Sequence, residues 1–149
     1  MQYLPTITKI LEIDAGHRLK RHESKCARLH GHRYVFEVSV VADRLDEVGR
    51  VIDFGCVKEL VGGWLDREWD HRMLLEEGDP LLFVLDEPER AALDGVVVVS
   101  CPPTAENLSR LVYEKATELL APRGVRVAGV RCWETPTCFA DYAPEVSRV

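Results

Sequence analysis

Between Arg28 and Ala42 the residues His30, His32, Tyr34, Phe36, Val38 and Val40 recur at every second position. Only an extended chain gathers such a set on one face, so the run predicts a long strand over 28–42. Its other face carries Arg33, Val35, Glu37, Ser39 and Val41. That face is apolar enough to predict that both sides of the strand become covered, the second by another subunit.

The remaining periodicities arrange themselves around this strand. Ile7, Leu11 and Ile13 alternate over 6–13, broken by Lys9, and predict a half-buried first strand. Asp53 is placed to cap a helix running to about Trp69, because Val57, Leu60, Val61, Trp64 and Leu65 follow helical spacing. Residues 76–95 hold Gly78, Pro80, Pro88 and Gly95 around an apolar patch and predict a loop-rich excursion with at most a short helix. Val96–Val99 read as a buried strand. Thr104 is placed to cap a second helix with Leu108, Leu111, Val112, Ala116, Leu119 and Leu120 on one stripe, stopped by Pro122 and Gly124. Val125, Val127 and Gly129 alternate towards Trp133, a turn falls at Thr135-Pro136, and a last short strand ends at Tyr142. This order predicts an α+β domain with helices laid on one face of a mainly antiparallel sheet.

With 149 residues the chain is expected to form a single domain spanning 1–149. Its 46% hydrophobic and 30% charged residues exclude disordered, collagenous and membrane classes, so function is expected to come from a site. A formal charge of −6 without a basic stripe argues against nucleic acid as a partner. Five cysteines with no CxxC pair predict a reducing, cytoplasmic setting. No export or anchoring signal is recognisable, and Leu81–Leu85 and Val96–Val99 are too short to span a membrane. The Asn107-Leu108-Ser109 sequon falls inside a helical pattern and is discarded, and Asp53-Phe54-Gly55 lacks the companions that would give a kinase triplet meaning.

His30 and His32 flank Gly31 on the predicted strand, so their side chains leave the same face and can reach one ion. An HxH pair alone is more often packed or surface histidines than a ligand pair. His17 follows the first strand, and strand pairing can bring it alongside. Three imidazoles with a fourth position open is the arrangement expected of a catalytic zinc site. Cys26, four residues before His30, can be placed by a short loop beside such an ion, where its thiol becomes a usable base. Cys56, Cys101 and Cys132 are expected to be buried structural thiols. Asp70 next to His71 is suited to proton transfer, although such a dipeptide alone is usually surface.

These residues resemble the 6-pyruvoyl-tetrahydropterin synthase family over 13–142. The matching segments are DAGHRL (14–19), CARLHGHRY (26–34), VIDFG (51–55), LDREWDHRMLL (65–75), PTAENL (103–108) and WETPT (133–137), in the family's order. The chain is most similar to the bacterial 6-carboxy-5,6,7,8-tetrahydropterin synthases, which share the short spacing between Cys26 and His30.

The resemblance implies a Zn2+ ion held by His17, His30 and His32, Cys26 as the base, and Asp70 and His71 as partners in proton transfer. It implies that Glu134 anchors the pterin, and a carboxylate can indeed accept two N–H bonds from a 2-aminopyrimidinone edge. Thr104 would help to hold the same ring. Glu106 would join it, or would merely favour the helix dipole. The implied fold is the tunnelling fold (T-fold): a four-stranded antiparallel sheet with two helices on one face, assembled as a trimer or hexamer with sites between subunits. The implied reaction converts 7,8-dihydroneopterin triphosphate to 6-carboxy-5,6,7,8-tetrahydropterin, releasing acetaldehyde and triphosphate, on the route to 7-deazaguanines such as queuosine. Arg18, Lys20, Arg21, Lys25, Arg28 and Arg33 cluster near the metal motifs as candidates for the triphosphate. Formation of 6-pyruvoyl-tetrahydropterin, cleavage of the dihydroneopterin side chain, a zinc or pterin module without turnover, and an oligomer whose histidines merely pack are the alternatives.

Overall fold

The structure is a computed structural model that describes residues 4–84 and 95–144. Strand β1 (Ile7–His17) and strand β2 (His30–Val41) pair antiparallel along their whole length, with His17 directly opposite His30. The alternation in β2 is realised: Tyr34, Phe36, Val38 and Val40 are all fully buried on one face. Strand β1 runs four residues beyond its predicted end at Ile13, so His17 closes the strand and does not follow it. Register with β2 carries those residues along, since Asp14 faces Arg33 and Ala15 faces His32.

Asp53 caps helix α1 by accepting a bond from Gly55 N at 2.7 Å. The helix runs over 54–68, with a π-helical turn at Lys58–Gly62 between the α-helical segments Phe54–Val57 and Gly63–Glu68. Val57, Val61 and Leu65 are fully buried along its inner side, and Trp69 ends it. Helix α2 (Ala105–Leu120) is capped by Thr104, whose Oγ1 accepts from Asn107 N at 3.1 Å. Leu108, Val112, Ala116 and Leu120 bury its stripe in the same core that takes α1 and the inner face of β1 and β2. Both helices therefore lie on one face of the sheet. Gly124, at φ 72°, turns the chain out of the short 3-10 turn at Ala121–Arg123 in the left-handed conformation that glycine adopts without strain.

The sheet corrects the expectation of four antiparallel strands. It has six, in the order β4-β3-β1-β2-β5-β6, with β3 (Met73–Glu76), β4 (Val96–Val99), β5 (Arg126–Thr135) and β6 (Cys138–Tyr142). The β1–β3 and β3–β4 pairs are parallel, so the sheet is mixed. Strand β3 reads as helix-former sequence without alternation and is specified by tertiary pairing. Gly16 N takes the Arg72 carbonyl at 2.9 Å, and a Cβ on Gly16 would stand 2.5 Å from Met73 Cε. The end of the flexible Met73 side chain fills the space that a side chain at Gly16 would take.

Of the predicted excursion over 76–95, Glu76 belongs to β3 and Pro80–Phe83 forms a 3-10 turn capped by Asp79, while 85–94 lie outside the described residues. Among the cysteines expected to be buried, only Cys132 is; Cys56 and Cys101 are half-buried at the ends of packed segments. No described helix is long and apolar enough to cross a membrane.

Candidate metal centre

Three strands bring their ends together at one point on the inner face of the sheet. His17 ends β1, His30 and His32 begin β2, and Glu134 lies near the end of β5. One donor atom from each of these four residues lies within 4.8 Å of the other three. His17 Nε2 and His30 Nε2 are 3.0 Å apart, Glu134 Oε1 is 3.0 Å from His32 Nε2, and it is 3.4 Å from His17 Nε2.

The orientation of two rings is fixed from behind. His17 Nδ1 lies 2.7 Å from the Pro103 carbonyl, and His30 Nδ1 lies 2.7 Å from the Arg28 carbonyl. A carbonyl only accepts, so each Nδ1 carries a proton and each Nε2 is turned inward as the donor atom. Two inward nitrogens 3.0 Å apart repel unless a cation lies between them, as a shared proton or a metal ion. His32 Nε2 is buried with no hydrogen-bond partner despite its closeness to Glu134. A buried, inward-facing imidazole nitrogen without a hydrogen bond fits a metal-ligating role. The donor set suits zinc or another borderline divalent ion.

The electrostatics favour the metal-ready protonation states. Burial holds the His32 imidazolium below its ordinary pKa, outweighing the pull of Glu134. His17 holds the Glu134 carboxyl below the carboxylate range against its own partial burial, with His32 and His30 adding.

Beneath the rings, Tyr34 is fully buried, with its ring centroid 5.7 Å from that of His17 and 5.5 Å from that of His32. Its hydroxyl has no hydrogen-bond partner. Burial, reinforced by Glu134 and Cys132, pushes its pKa far up, so the phenol stays protonated. Sequence reasoning placed Tyr34 on the correct face without marking it as part of the site. The Pro103 and Arg28 carbonyls were also missed, since backbone acceptors carry no residue-type signal.

The other expected site residues are not among the four donors of this cluster. Cys26 sits in a 3-10 turn, Lys25–Ala27, within the segment 18–29 that joins His17 to His30. That segment is cinched by Leu19 N donating to the Cys26 carbonyl at 2.9 Å. Thr104 adjoins Pro103, so the start of α2 abuts His17, while Glu106 is exposed in the first turn of α2. Asp70 and His71 pair at 2.8 Å, and Asp70 accepts from Asp14 N at 2.9 Å. They are anchored to the flank of β1 and do not join the four-donor cluster. The His71 side chain is 77% exposed, held in the left-handed region at φ 59°, and Asp70 raises its pKa.

Most of the clustered cations are already paired. Arg18 grips the fully buried Asp79 through two bonds, one of them from Nε to Oδ2 at 2.7 Å. Lys20 and Arg21 pair with Glu76, and Arg33 pairs with Glu12 and Asp14. Lys25 and Arg28 are exposed and form no ion pair among the described residues.

Residues 6–145 match the family described as 6-pyruvoyl tetrahydropterin synthase. The chain is 38% identical over 135 residues to the 6-carboxy-5,6,7,8-tetrahydropterin synthase of Rickettsia bellii, covering 90% of this chain and 96% of that protein. It is 33% identical over 159 aligned positions to the protein of the same name from Aquifex aeolicus, covering 93% and 98%. A solved, uncharacterized protein from Wolinella succinogenes shares the fold at a TM-score of 0.84 and 23% identity, covering 97% of this chain and all of that one. The 6-pyruvoyl tetrahydropterin synthase of Caenorhabditis elegans does so at 0.66 and 24%, with the same coverage. On the family match and these relatives together, the chain belongs to the 6-pyruvoyl tetrahydropterin synthase family.

Proposed function

We propose that the protein is a zinc-dependent lyase that converts 7,8-dihydroneopterin triphosphate to 6-carboxy-5,6,7,8-tetrahydropterin, acetaldehyde and triphosphate. The observation that carries this reading is the convergence of three imidazoles, in a chain whose curated relatives named above bear that enzyme's name. Its place is the route to 7-deazaguanines such as queuosine.

His17, His30 and His32 would hold the ion, with the Pro103 and Arg28 carbonyls fixing two of the rings. When bound, zinc supplies Lewis acidity that polarises side-chain oxygens and acidifies the adjacent C–H. Cys26, carried on the segment that links His17 to His30, takes the proton. Asp70 holds His71 through Nδ1, leaving Nε2 to exchange a proton with substrate. Glu134 receives the paired N–H groups of the pterin, and Thr104 supports the ring. Glu106 is the weaker candidate because it is exposed. With Arg18, Lys20, Arg21 and Arg33 engaged elsewhere, Lys25 and Arg28 are left for the triphosphate.

The working form is a homo-oligomer, a trimer or hexamer. Two features support this: Ile10 is 55% exposed and Phe139 46% exposed, and Asp70–His71 stands apart from the imidazoles of its own chain. A second copy can supply that pair.

The experiment is incubation of the metal-loaded protein with 7,8-dihydroneopterin triphosphate and identification of products by mass spectrometry. A 6-carboxy pterin with acetaldehyde is expected. A 6-pyruvoyl product or a hydroxymethyl pterin would reassign the reaction within the family, and no product with metal bound would leave a binding module.

A further inference from the structure

We propose that Asp79, acting through Arg18, is a positioning residue for Cys26: the acidic turn that follows β3 fixes the segment 18–29 and with it the thiol. This rests on the reading of Cys26 as the base and adds to it the residues that hold the base in place.

Cys26 has no anchor in the sheet, because it lies in the 3-10 turn Lys25–Ala27 between the end of β1 and the start of β2. The segment that carries it is tied at both ends. At its far end the Arg28 carbonyl lies 2.7 Å from His30 Nδ1. At its start the Arg18 guanidinium donates to both oxygens of Asp79, from Nε to Oδ2 at 2.7 Å and from its terminal nitrogen to Oδ1. Asp79 is fully buried, accepts a further bond from Leu81 N at 2.9 Å, and donates its own N–H to the Glu76 carbonyl at 2.9 Å. A carboxylate gripped by a planar fork and a backbone N–H has one orientation open to it.

From there the tie runs directly to the thiol's backbone. Leu19, next after Arg18, donates its N–H to the Cys26 carbonyl at 2.9 Å. The residues on the other side of Leu19 are held by the same turn, since Lys20 Nζ lies 3.7 Å from Glu76 Oε2 and Arg21 donates to Glu76 Oε1 at 3.1 Å. Strand β3, which ends at Glu76, also pairs with β1 at Gly16 and His17. One short strand therefore sets both the end of β1 and the segment that brings Cys26 back towards it. Stability is a weak reason to keep a buried ion pair, because an apolar replacement often serves as well. Placement of a base is a stronger one: it acts only within hydrogen-bond reach of its proton, and a displacement of about 1 Å can cost on the order of a hundredfold in rate.

The test compares Asp79→Asn, Arg18→Lys and Glu76→Gln with Val112→Ala, which truncates a fully buried side chain of α2 and lowers Tm without touching the segment. All are measured below their transitions, with circular dichroism and metal content checked. Two quantities are read: kcat at saturating substrate, and the rate at which iodoacetamide alkylates Cys26 relative to the exposed Cys138, resolved by peptide mass spectrometry. Asp79→Asn is expected to lower kcat about tenfold to a hundredfold and to change the alkylation ratio severalfold. Arg18→Lys, which keeps the charge and loses the fork, and Glu76→Gln are expected to do the same more weakly, and they carry the test should Asp79→Asn not fold. Val112→Ala is expected to keep both values. Wild-type kcat with an unchanged ratio in the folded, metal-loaded variants would overturn the proposal, as would the same changes in Val112→Ala. Full turnover in Cys26→Ala would instead sink the reading of the thiol as the base, and the alkylation ratios would still decide whether Asp79 positions it.

Discussion

Tyr34→Phe should raise the stability of the metal-free protein. The side chain is fully buried, and its hydroxyl has no hydrogen-bond partner. An unpaired buried hydroxyl costs about 1–3 kcal/mol relative to its solvated state in the unfolded chain. Phenylalanine fills the same volume and preserves the stacking on Phe36, whose centroid lies 6.3 Å away, so the packing term changes little. In a chain of this size about 1 kcal/mol shifts Tm by roughly 2–4 °C, so a rise of about 2–12 °C is expected. The assay is calorimetry or circular dichroism at fixed protomer concentration in the presence of a chelator, since oligomerisation and metal both move Tm by mass action. A fall in Tm would refute the reasoning, because it would mean that the hydroxyl has a partner whose loss outweighs its desolvation.

Metal content and turnover should separate two further variants: His32→Ala is expected to lose the ion, measured by elemental analysis, whereas Cys26→Ala keeps fold and ion and loses turnover. Full activity in Cys26→Ala would remove the thiol from the mechanism. Asp79→Asn strips the buried partner from Arg18 and should destabilise the protein by about 3 kcal/mol at neutral pH. Arg18 depresses the folded pKa of Asp79, so the contribution is complete above the unfolded value near 3.9 and disappears as pH falls through the folded one. The Tm difference between wild type and Asp79→Asn should accordingly close below about pH 4, and a difference that stays constant down to pH 3 would contradict the ion pair. Changing Lys25 and Arg28 together to Gln should raise KM for the triphosphate about tenfold or more while sparing binding of unphosphorylated dihydroneopterin. An unchanged KM would place the phosphate elsewhere.

Legibility from sequence followed the physical origin of each feature. Strand β2 was readable because the pleat imposes a strict period of two, and α2 because Thr104, a clear apolar stripe and Gly124 each mark it locally. Strand β3 was not, since Met73–Glu76 is extended through its pairing with β1 and β4. The same distinction runs through the site. His30 and His32 announced a shared face, but the reach of His17 depended on four further residues of pairing that register alone supplies. Glu134 was expected as a carboxylate for the pterin, and its closeness to the imidazoles continues the inward alternation of Val130 and Cys132 on β5, which only the pairing of β5 with β2 brings to the histidines. The pairing of Arg18 with Asp79 joins residues on separate segments and was equally invisible in composition.

The connection from His17 to His30 leaves and re-enters the sheet at two residues that face each other. Changing the middle of that connection need not disturb how the strands are matched, provided that the Arg28 carbonyl stays on His30 and Arg18 keeps Asp79. The thiol travels with the replaceable piece and the candidate metal donors with the permanent one. A scaffold divided in this way can change which bond it breaks by swapping a surface segment while inheriting its metal chemistry intact, and grafting the segment from a relative with a different product would test how far that independence extends.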